Sequence, residues 1–456
     1  MKVSEKVKII ESNIAVENIV VKKFGETFEI YPWLKVRLFH KNLMGNDVLI
    51  SKSKSVLISQ IKSLTYGFFN LFRKYEAWIF TNSSERTLIE GKYHDKLFDY
   101  IGNESGLKTL IIELRLFKQF KRKTVASKYV ISKSIFILFE EIYSKFFLKN
   151  CIVENEHLIL EIEKELDCRV NTQEIIKKNL SQYRLMKFWL SVLPNPKIVF
   201  LTVHYSNFGY IQAFKERGIK VIEMQHGLIG EGHYAYLYEK ALNPIQFPDE
   251  ICVFGENESN FFKLRMFIPI KKVTPIGSFV LDHFYSKSIQ NETIDKICVS
   301  LQDGDYGEKL LEFLLQANEL IEIKPLFIIQ PRRTSESFYR EKFDFPENFQ
   351  FSTQTIYECI SQTDLHLTIF STTAIEALSI GKQNILINIE GNSVEFLGGQ
   401  LLENEYTFFV NTIDEFCETI NNIKFVSKDL IAKSNAANIK SDYKANIKSL
   451  IERINK

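Results

Sequence analysis

The sequence predicts an α/β protein of two domains in tandem, each a parallel sheet with helices on both faces, followed by a C-terminal helix. Three observations predict it. Short β-branched runs alternate with helical patterns along the second half of the chain. A similar series precedes it. The polar segment Ser286–Asp295 separates the two series and reads as a linker.

Taken in order, the strand-like runs of the N-terminal part are Val48–Ser51, Ala77–Phe80 and Thr109–Leu114. A long helical pattern covers Thr172–Leu193 and stops before Pro194-Asn195-Pro196, because a residue preceding proline is pushed out of the helical region. Then come strand Lys197–Val203, helix Phe208–Arg217 ending at Gly218, and strand Lys220–Met224. Strand Glu250–Phe254, helix Glu256–Arg265 and strand Val273–Ile276 complete the first series. The second series has strands at Ile297–Leu301, Leu326–Gln330, Phe349–Thr353, Leu365–Phe370, Ile385–Ile389 and Thr407–Val410. Helices are expected at Glu308–Leu320, Ile356–Gln362, Thr373–Ile380 and Ile413–Ile423. The basic segment Ser427–Lys456 is helical with no strand after it. The expected domains are therefore 1–285, 286–430 and a terminal helix at 431–456.

Composition narrows the class. Apolar residues are 45% and charged residues 25% of 456, the usual balance of a globular protein rather than a disordered chain. The 58 basic and 56 acidic side chains leave a net charge of +2, too little for a protein that holds nucleic acid by bulk charge. The 38 Phe against 3 Trp and 5 Met are unusual, and reflect genome composition and core packing. Cys151, Cys168, Cys252, Cys298, Cys359 and Cys417 form no C-x-x-C pair and read as core residues of a reduced, cytoplasmic protein. No signal peptide and no run of about 18 apolar residues is found. The Phe-rich stretch Leu107–Lys149, with Lys121-Arg122-Lys123, reads either as a packed helix or as one lying on an anionic membrane surface.

In open parallel sheets ligands bind beyond the carboxyl ends of strands, so the chemistry is sought there. After Met224 comes Gln225-His226-Gly227-Leu228-Ile229-Gly230-Glu231-Gly232-His233. Its glycines admit a ligand to the backbone, and His226 has the near-neutral pKa a proton acceptor needs. His204 follows the preceding strand and reaches for the same crevice. Hydrogen bonding within a turn is the plainer role for such histidines. After Gln330 come Arg332 and Arg333, suited to bidentate bonds with a diphosphate, or else to Glu336 and Glu341. Ser371-Thr372-Thr373 opens a helix whose N–H groups favour an anion, with Glu376 on its first turn near a ribose; an ordinary helix cap is the alternative. Gln302-Asp303-Gly304-Asp305 offers glycine and amide contacts to a donor, and its D-x-D is too short a match for a metal site. No P-loop, G-x-G-x-x-G, H-E-x-x-H or G-x-S-x-G motif is present.

The Gln225-His226-Gly227 loop and Ser371-Thr372-Thr373 with Glu376-Ala377 resemble GT-B glycosyltransferases of bacterial surface polysaccharide (capsule and O-antigen) synthesis, and the segment Ile79–Arg86 with Gly91–Lys96 resembles a pattern in uncharacterised proteins of capsule and O-antigen clusters. Pro248-Asp249, Phe254-Gly255 and Pro275-Ile276-Gly277 are similar to the run leading to the linker in that group. The resemblance implies two Rossmann-like domains facing a central cleft. It implies an acceptor held by the N-terminal domain and a nucleotide-activated sugar held by the C-terminal one. Metal-independent transfer without a resident cofactor is also implied. Two departures stand: Glu376 has no second Glu to complete E-x7-E, and Gln330-Pro331 stands where some sialyltransferases carry His-Pro.

The expected catalytic residues are His226, His204 and Glu231. The expected donor-binding residues are Gln302, Gly304, Arg332, Arg333, Ser371, Thr372, Thr373 and Glu376. Gln225, Gly227 and His233 shape the loop. The expected partners are a nucleotide-sugar donor, a glycan or lipid-linked glycan acceptor and, peripherally, an anionic membrane; nucleic acid is not among them. Rival readings are a polyol-phosphate transferase, a nucleotide-sugar 2-epimerase, and a non-catalytic partner subunit.

Overall fold

The computed structural model describes residues 2–44, 61–114, 125–264 and 269–455. The expected strand Val48–Ser51, the Lys121-Arg122-Lys123 run and Arg265 lie outside them. The chain divides into two compact units: Met1–Val253 with Glu258–Pro275 and Ile447–Lys456, and Phe254–Asn257 with Ile276–Asn446. Composition set the expected boundary at 285/286; chain contacts set it at Pro275/Ile276.

The strands of the first unit are β1 (Val20–Lys23), β2 (Glu26–Glu29), β3 (Ala77–Asn82), β4 (Arg86–Ile89), β5 (Lys92–Asp95), β6 (Thr109–Leu114), β7 (Val130–Ser132), β8 (Val153–Glu154), β9 (Ile198–Leu201), β10 (Lys220–Met224), β11 (Glu250–Val253) and β12 (Lys272–Pro275). Seven of them form a parallel sheet ordered β12-β11-β10-β9-β3-β6-β7. Its central strands β3 and β9 are buried along their length, as a parallel sheet covered on both faces requires. The chain runs outward from β3 to β7, then returns beside β3 at β9 and runs outward again to β12. The strand order thus reverses between β3 and β9, which is where such a sheet opens a ligand crevice.

Helices Thr172–Val192 and Phe208–Glu216 pack on this sheet. Asn171 accepts from the Glu174 N–H at 3.1 Å and so starts the longer one. Phe214 lies 6.2 Å from Trp78 and 5.7 Å from Phe80, a use of the phenylalanine excess as core. The N-terminal helix Val3–Asn13 is tied down by Glu11, which accepts from Tyr31 at 2.8 Å and from Lys35 at 2.7 Å. The stretch Leu107–Lys149, whose expected strand Thr109–Leu114 is β6, also contains β7 and helix Ser134–Phe146 among its described residues and is not a single packed helix. The reason is the apolar, β-branched run Thr109–Leu114, which a central sheet buries on both faces.

In the second unit β13 (Lys296–Ser300), β14 (Leu326–Gln330), β15 (Phe349–Phe351), β16 (Leu365–Thr368), β17 (Gln383–Ile387) and β18 (Thr407–Val410) make a parallel sheet ordered β15-β14-β13-β16-β17-β18. Its reversal falls between β13 and β16. Helices Asp305–Leu320, Ile356–Ser361, Thr373–Ser379 and Ile413–Asn422 alternate with the strands as the sequence predicts. Ile297, Val299, Leu310, Leu314, Phe327, Leu367 and Ile385 form its core.

Two expectations change here. Ser286–Asp295 is not a free linker: Gln290 donates to the Val426 carbonyl at 2.7 Å, and Asp364 accepts from Asn291 at 2.7 Å and from the Asp295 N–H at 2.9 Å. Its polar side chains serve backbone and turn bonds. The terminal segment is two helices, Lys428–Ser434 and Tyr443–Asn455. Between them the chain turns sharply, with Asp442 at φ +61° and Asn435 donating to the Ile375 carbonyl at 2.8 Å. This turn lies against the Phe254-Gly255 and Ile276-Gly277 turns. A Cβ added to Gly277 would sit 1.9 Å from the Lys440 carbonyl oxygen, and one added to Gly255 would sit 2.3 Å from that of Ala437. No described helix is long and apolar enough to cross a membrane.

Candidate functional site

Beyond the β3/β9 reversal of the first unit the chain places Ser83-Ser84-Glu85 on one side and His204-Tyr205 on the other. The Gln225-His226-Gly227 loop follows the neighbouring strand β10. His204 is almost fully buried. Its backbone N–H donates to Glu223 at 3.0 Å, and its Nδ1 lies 2.8 Å from the other Glu223 oxygen. Tyr236 also donates to Glu223 at 2.8 Å. Burial works against the Glu223 charge, but these donors, His204 foremost, hold its pKa below the ordinary carboxylate value. The carboxylate therefore sets the orientation of the His204 ring, which packs on Tyr205, Phe208, Tyr236 and Phe247.

Tyr205 gathers the other two histidines: its ring centroid is 6.5 Å from His226 and 5.8 Å from His233. Burial lowers the pKa of His226, against the opposing pull of Glu85 and Glu223. Burial, with His226 and His204 nearby, lowers that of His233 to about 4. Both imidazoles are thus neutral at pH 7, and neither Nδ1 has a hydrogen-bond partner among the described residues. A neutral imidazole with a free nitrogen is what proton acceptance requires. Gln225 holds the loop by donating to the Gly227 carbonyl at 2.8 Å and to Glu258 at 3.1 Å. Glu231 is exposed on the following turn, while His233 returns to the aromatic cluster.

Beyond the β13/β16 reversal of the second unit lie Gln302-Asp303-Gly304 and Ser371-Thr372-Thr373. Gly304 has φ +71° and ψ −152°, a conformation only glycine adopts easily, directly before helix Asp305–Leu320. Gln302 is 6% exposed, and its Nε2 has no hydrogen-bond partner among the described residues. The Thr373 hydroxyl is likewise buried and unpartnered. Such groups are costly unless something bonds them. Ser371 accepts from the Thr373 N–H at 3.3 Å, and Thr372 is exposed.

Arg332 and Arg333 leave the end of β14 with exposed side chains. Their Nε atoms lie 3.8 and 3.7 Å from Asp303, so neither bridges to Glu336, which pairs with Arg340 at 2.6 Å. Exposed pairs of this length are weak, and both guanidinium groups remain available to an anion. Glu376 accepts from Tyr357 at 3.2 Å.

Sequence reading missed the supports. Ser300, His366 and Asn384 make a buried chain across β13, β16 and β17, with contacts of 2.8 and 2.8 Å. Asn384 then donates to the Ala374 carbonyl at 2.7 Å, which fixes helix Thr373–Ser379 on the sheet. Burial lowers the pKa of His366 to about 4. Glu223 and His366 each stand alone among apolar strand neighbours, which was the available signal. Tyr205 had none beyond adjacency to His204. Among the described residues no group of three or more His, Cys, Asp or Glu side chains is placed to hold a metal ion.

No family model matches the sequence, and no curated protein matches it. Solved structures with a related chain path include UDP-GlcNAc 2-epimerase from Neisseria meningitidis bound to UDP-GlcNAc, at 12% identity and TM-score 0.47, covering 83% of this chain and 98% of that one. They also include Arabidopsis thaliana UGT89C1 complexed with UDP, at 11% identity and TM-score 0.46, covering 83% and 99%. A third is the wall teichoic acid polymerase TagF, at 11% identity and TM-score 0.42, covering 92% and 98%.

Proposed function

We propose that this protein is a glycosyltransferase that moves a sugar from a nucleotide-activated donor to a growing surface glycan, at the inner face of the cell membrane. One observation carries the reading: each parallel sheet has a polar cluster at its own strand-order reversal, and the two clusters have complementary chemistry. The second unit offers Gln302, Thr373, Arg332 and Arg333, suited to a nucleotide diphosphate. The first offers His226 and His233, neutral and proton-accepting.

In the transfer, His226 takes the proton of the acceptor hydroxyl. The acceptor oxygen bonds to the anomeric carbon as the carbon–oxygen bond to the donor phosphate breaks. The electron pair leaves with the diphosphate, whose growing charge Arg332 and Arg333 stabilise. Glu223 and His204 support the aromatic wall behind His226.

The test begins with thermal stabilisation by UDP, GDP, CMP and CDP, because the base that binds narrows the donor. Donor consumption is then followed with and without a glycan or lipid-linked glycan. Acceptor-dependent release of the nucleotide supports the transferase. Acceptor-free interconversion of a UDP-sugar, seen by NMR, assigns a 2-epimerase. Turnover of a CDP-polyol assigns a polyol-phosphate transferase. No stabilisation by any nucleotide overturns the enzyme reading in favour of a binding subunit.

A further inference from the structure

Helix Ser134–Phe146 is fixed on its inner side by Phe136, 1% exposed, and by buried Glu140, which accepts from Tyr210. With that face committed, helical spacing sends Leu138, Ile142 and Phe146 outward in one row, at i, i+4 and i+8. All three are exposed, Phe146 to 71%. Phe139 stands beside them, with its ring 5.6 Å from Trp189 of helix Thr172–Val192. Phe188 of that helix lies 5.6 Å from the same Trp189 and is 53% exposed. The two helices therefore share one continuous aromatic and aliphatic surface facing water, the kind of patch a protein reserves for contact.

The charges around it have a sign. Lys145 and Lys149 are exposed at the C-terminal end of the first helix, and Lys178 is exposed on the second; the Arg184 guanidinium lies instead 5.4 Å from the Phe24 ring centroid. Exposed acids on the same elements are Glu141 and Glu174. The Lys145 ammonium sits 5.6 Å from the Phe146 ring centroid, so cation and apolar surface are adjacent. We infer that this two-helix face docks on an anionic lipid bilayer, with the aromatic rings at the acyl boundary and the lysines at the headgroups. A second copy of the chain fits less well. An isologous contact would turn the same cations toward one another, whereas anionic lipids neutralise them.

The inference rests on the membrane placement in the proposed function but not on its chemistry, and its test needs no substrate. The protein is floated with vesicles of equal parts phosphatidylglycerol and phosphatidylcholine, and with phosphatidylcholine alone. Wild type is expected to float with the anionic vesicles, much less with the neutral ones, and to be released in part by high salt. Phe146→Glu with Phe188→Glu should lower the partition about tenfold or more, because two exposed rings no longer leave water. Lys145→Glu with Lys149→Glu should lower it by about tenfold on anionic vesicles only. All four positions are exposed, so the melting temperature should stay near wild type; if the first pair disturbs folding, the lysine pair still decides. Failure of wild type to float with anionic vesicles overturns the inference, as does flotation of both double variants at the wild-type level. A vesicle-free dimer that Phe146→Glu abolishes also overturns it and assigns the face to a second copy.

Discussion

The two polar crevices are built from the same topology and opposite materials. That of the first unit is buried: three imidazoles gather around Tyr205, backed by Tyr236, and burial lowers the pKa of two of them, His226 and His233. That of the second unit is open at its rim, where two exposed arginines flank Asp303, and holds the buried Gln302 Nε2, which has no hydrogen-bond partner among the described residues. A strand-order reversal supplies only a place; the residues after each strand decide whether that place moves protons or holds anions. Substitutions that erase the difference are therefore the sharpest tests.

The largest effect is expected from His226→Ala. Loss of a general base should lower turnover about a hundredfold to ten-thousandfold, while nucleotide-induced thermal stabilisation stays intact. Loss of both together would place His226 in donor binding and merge the two chemistries. Next comes Glu223→Ala, which leaves buried His204 without its partner. Urea unfolding should report a loss of about 3–5 kcal/mol. Glu223→Leu combined with His204→Phe should recover a good part of it.

In the second unit, Arg332→Ala with Arg333→Ala should weaken nucleoside diphosphate binding about tenfold, measured calorimetrically, and weaken a nucleoside alone hardly at all. Equal loss for both ligands would separate the arginines from the phosphates. The smallest and broadest effect is on pH. His366 has its pKa lowered from 6.5 to about 4 in the folded chain. Its contribution is present above pH 6.5 and is lost as pH falls through 4, when the unfolded chain takes up the proton first. The loss is roughly 3 kcal/mol, removed by His366→Gln if the bond network survives. Asp95 runs the other way. Burial raises its pKa to about 7, so its contribution is fullest below pH 3.8 and is lost as pH rises through 7. Asp95→Asn should flatten that limb of a stability-versus-pH curve.

The fold was largely legible because periodicity carries it. Strands such as Leu326–Gln330 and Lys220–Met224 coincide with the expected runs, and the class follows from their alternation with helices. The candidate residues after each strand were legible by the same route. What was not legible depends on pairs distant in sequence. Nothing near His204 in sequence announced that Glu223 would stand beside its Nδ1. Nor did the sequence show that Tyr357 would donate to Glu376. The polar Ser286–Asp295 resembled a linker because composition does not reveal which polar groups a turn will use.

The close approach at Gly255 and Gly277 has a consequence for synthesis. Chains fold as they emerge, N-terminal parts first. Yet the turns at both glycines are completed only by Ala437 and Lys440, and Glu250 of β11 receives Arg453 from the last helix. Each unit waits for residues beyond 436, so a ribosome that stops at residue 430 releases two unfinished domains instead of one finished and one cut short.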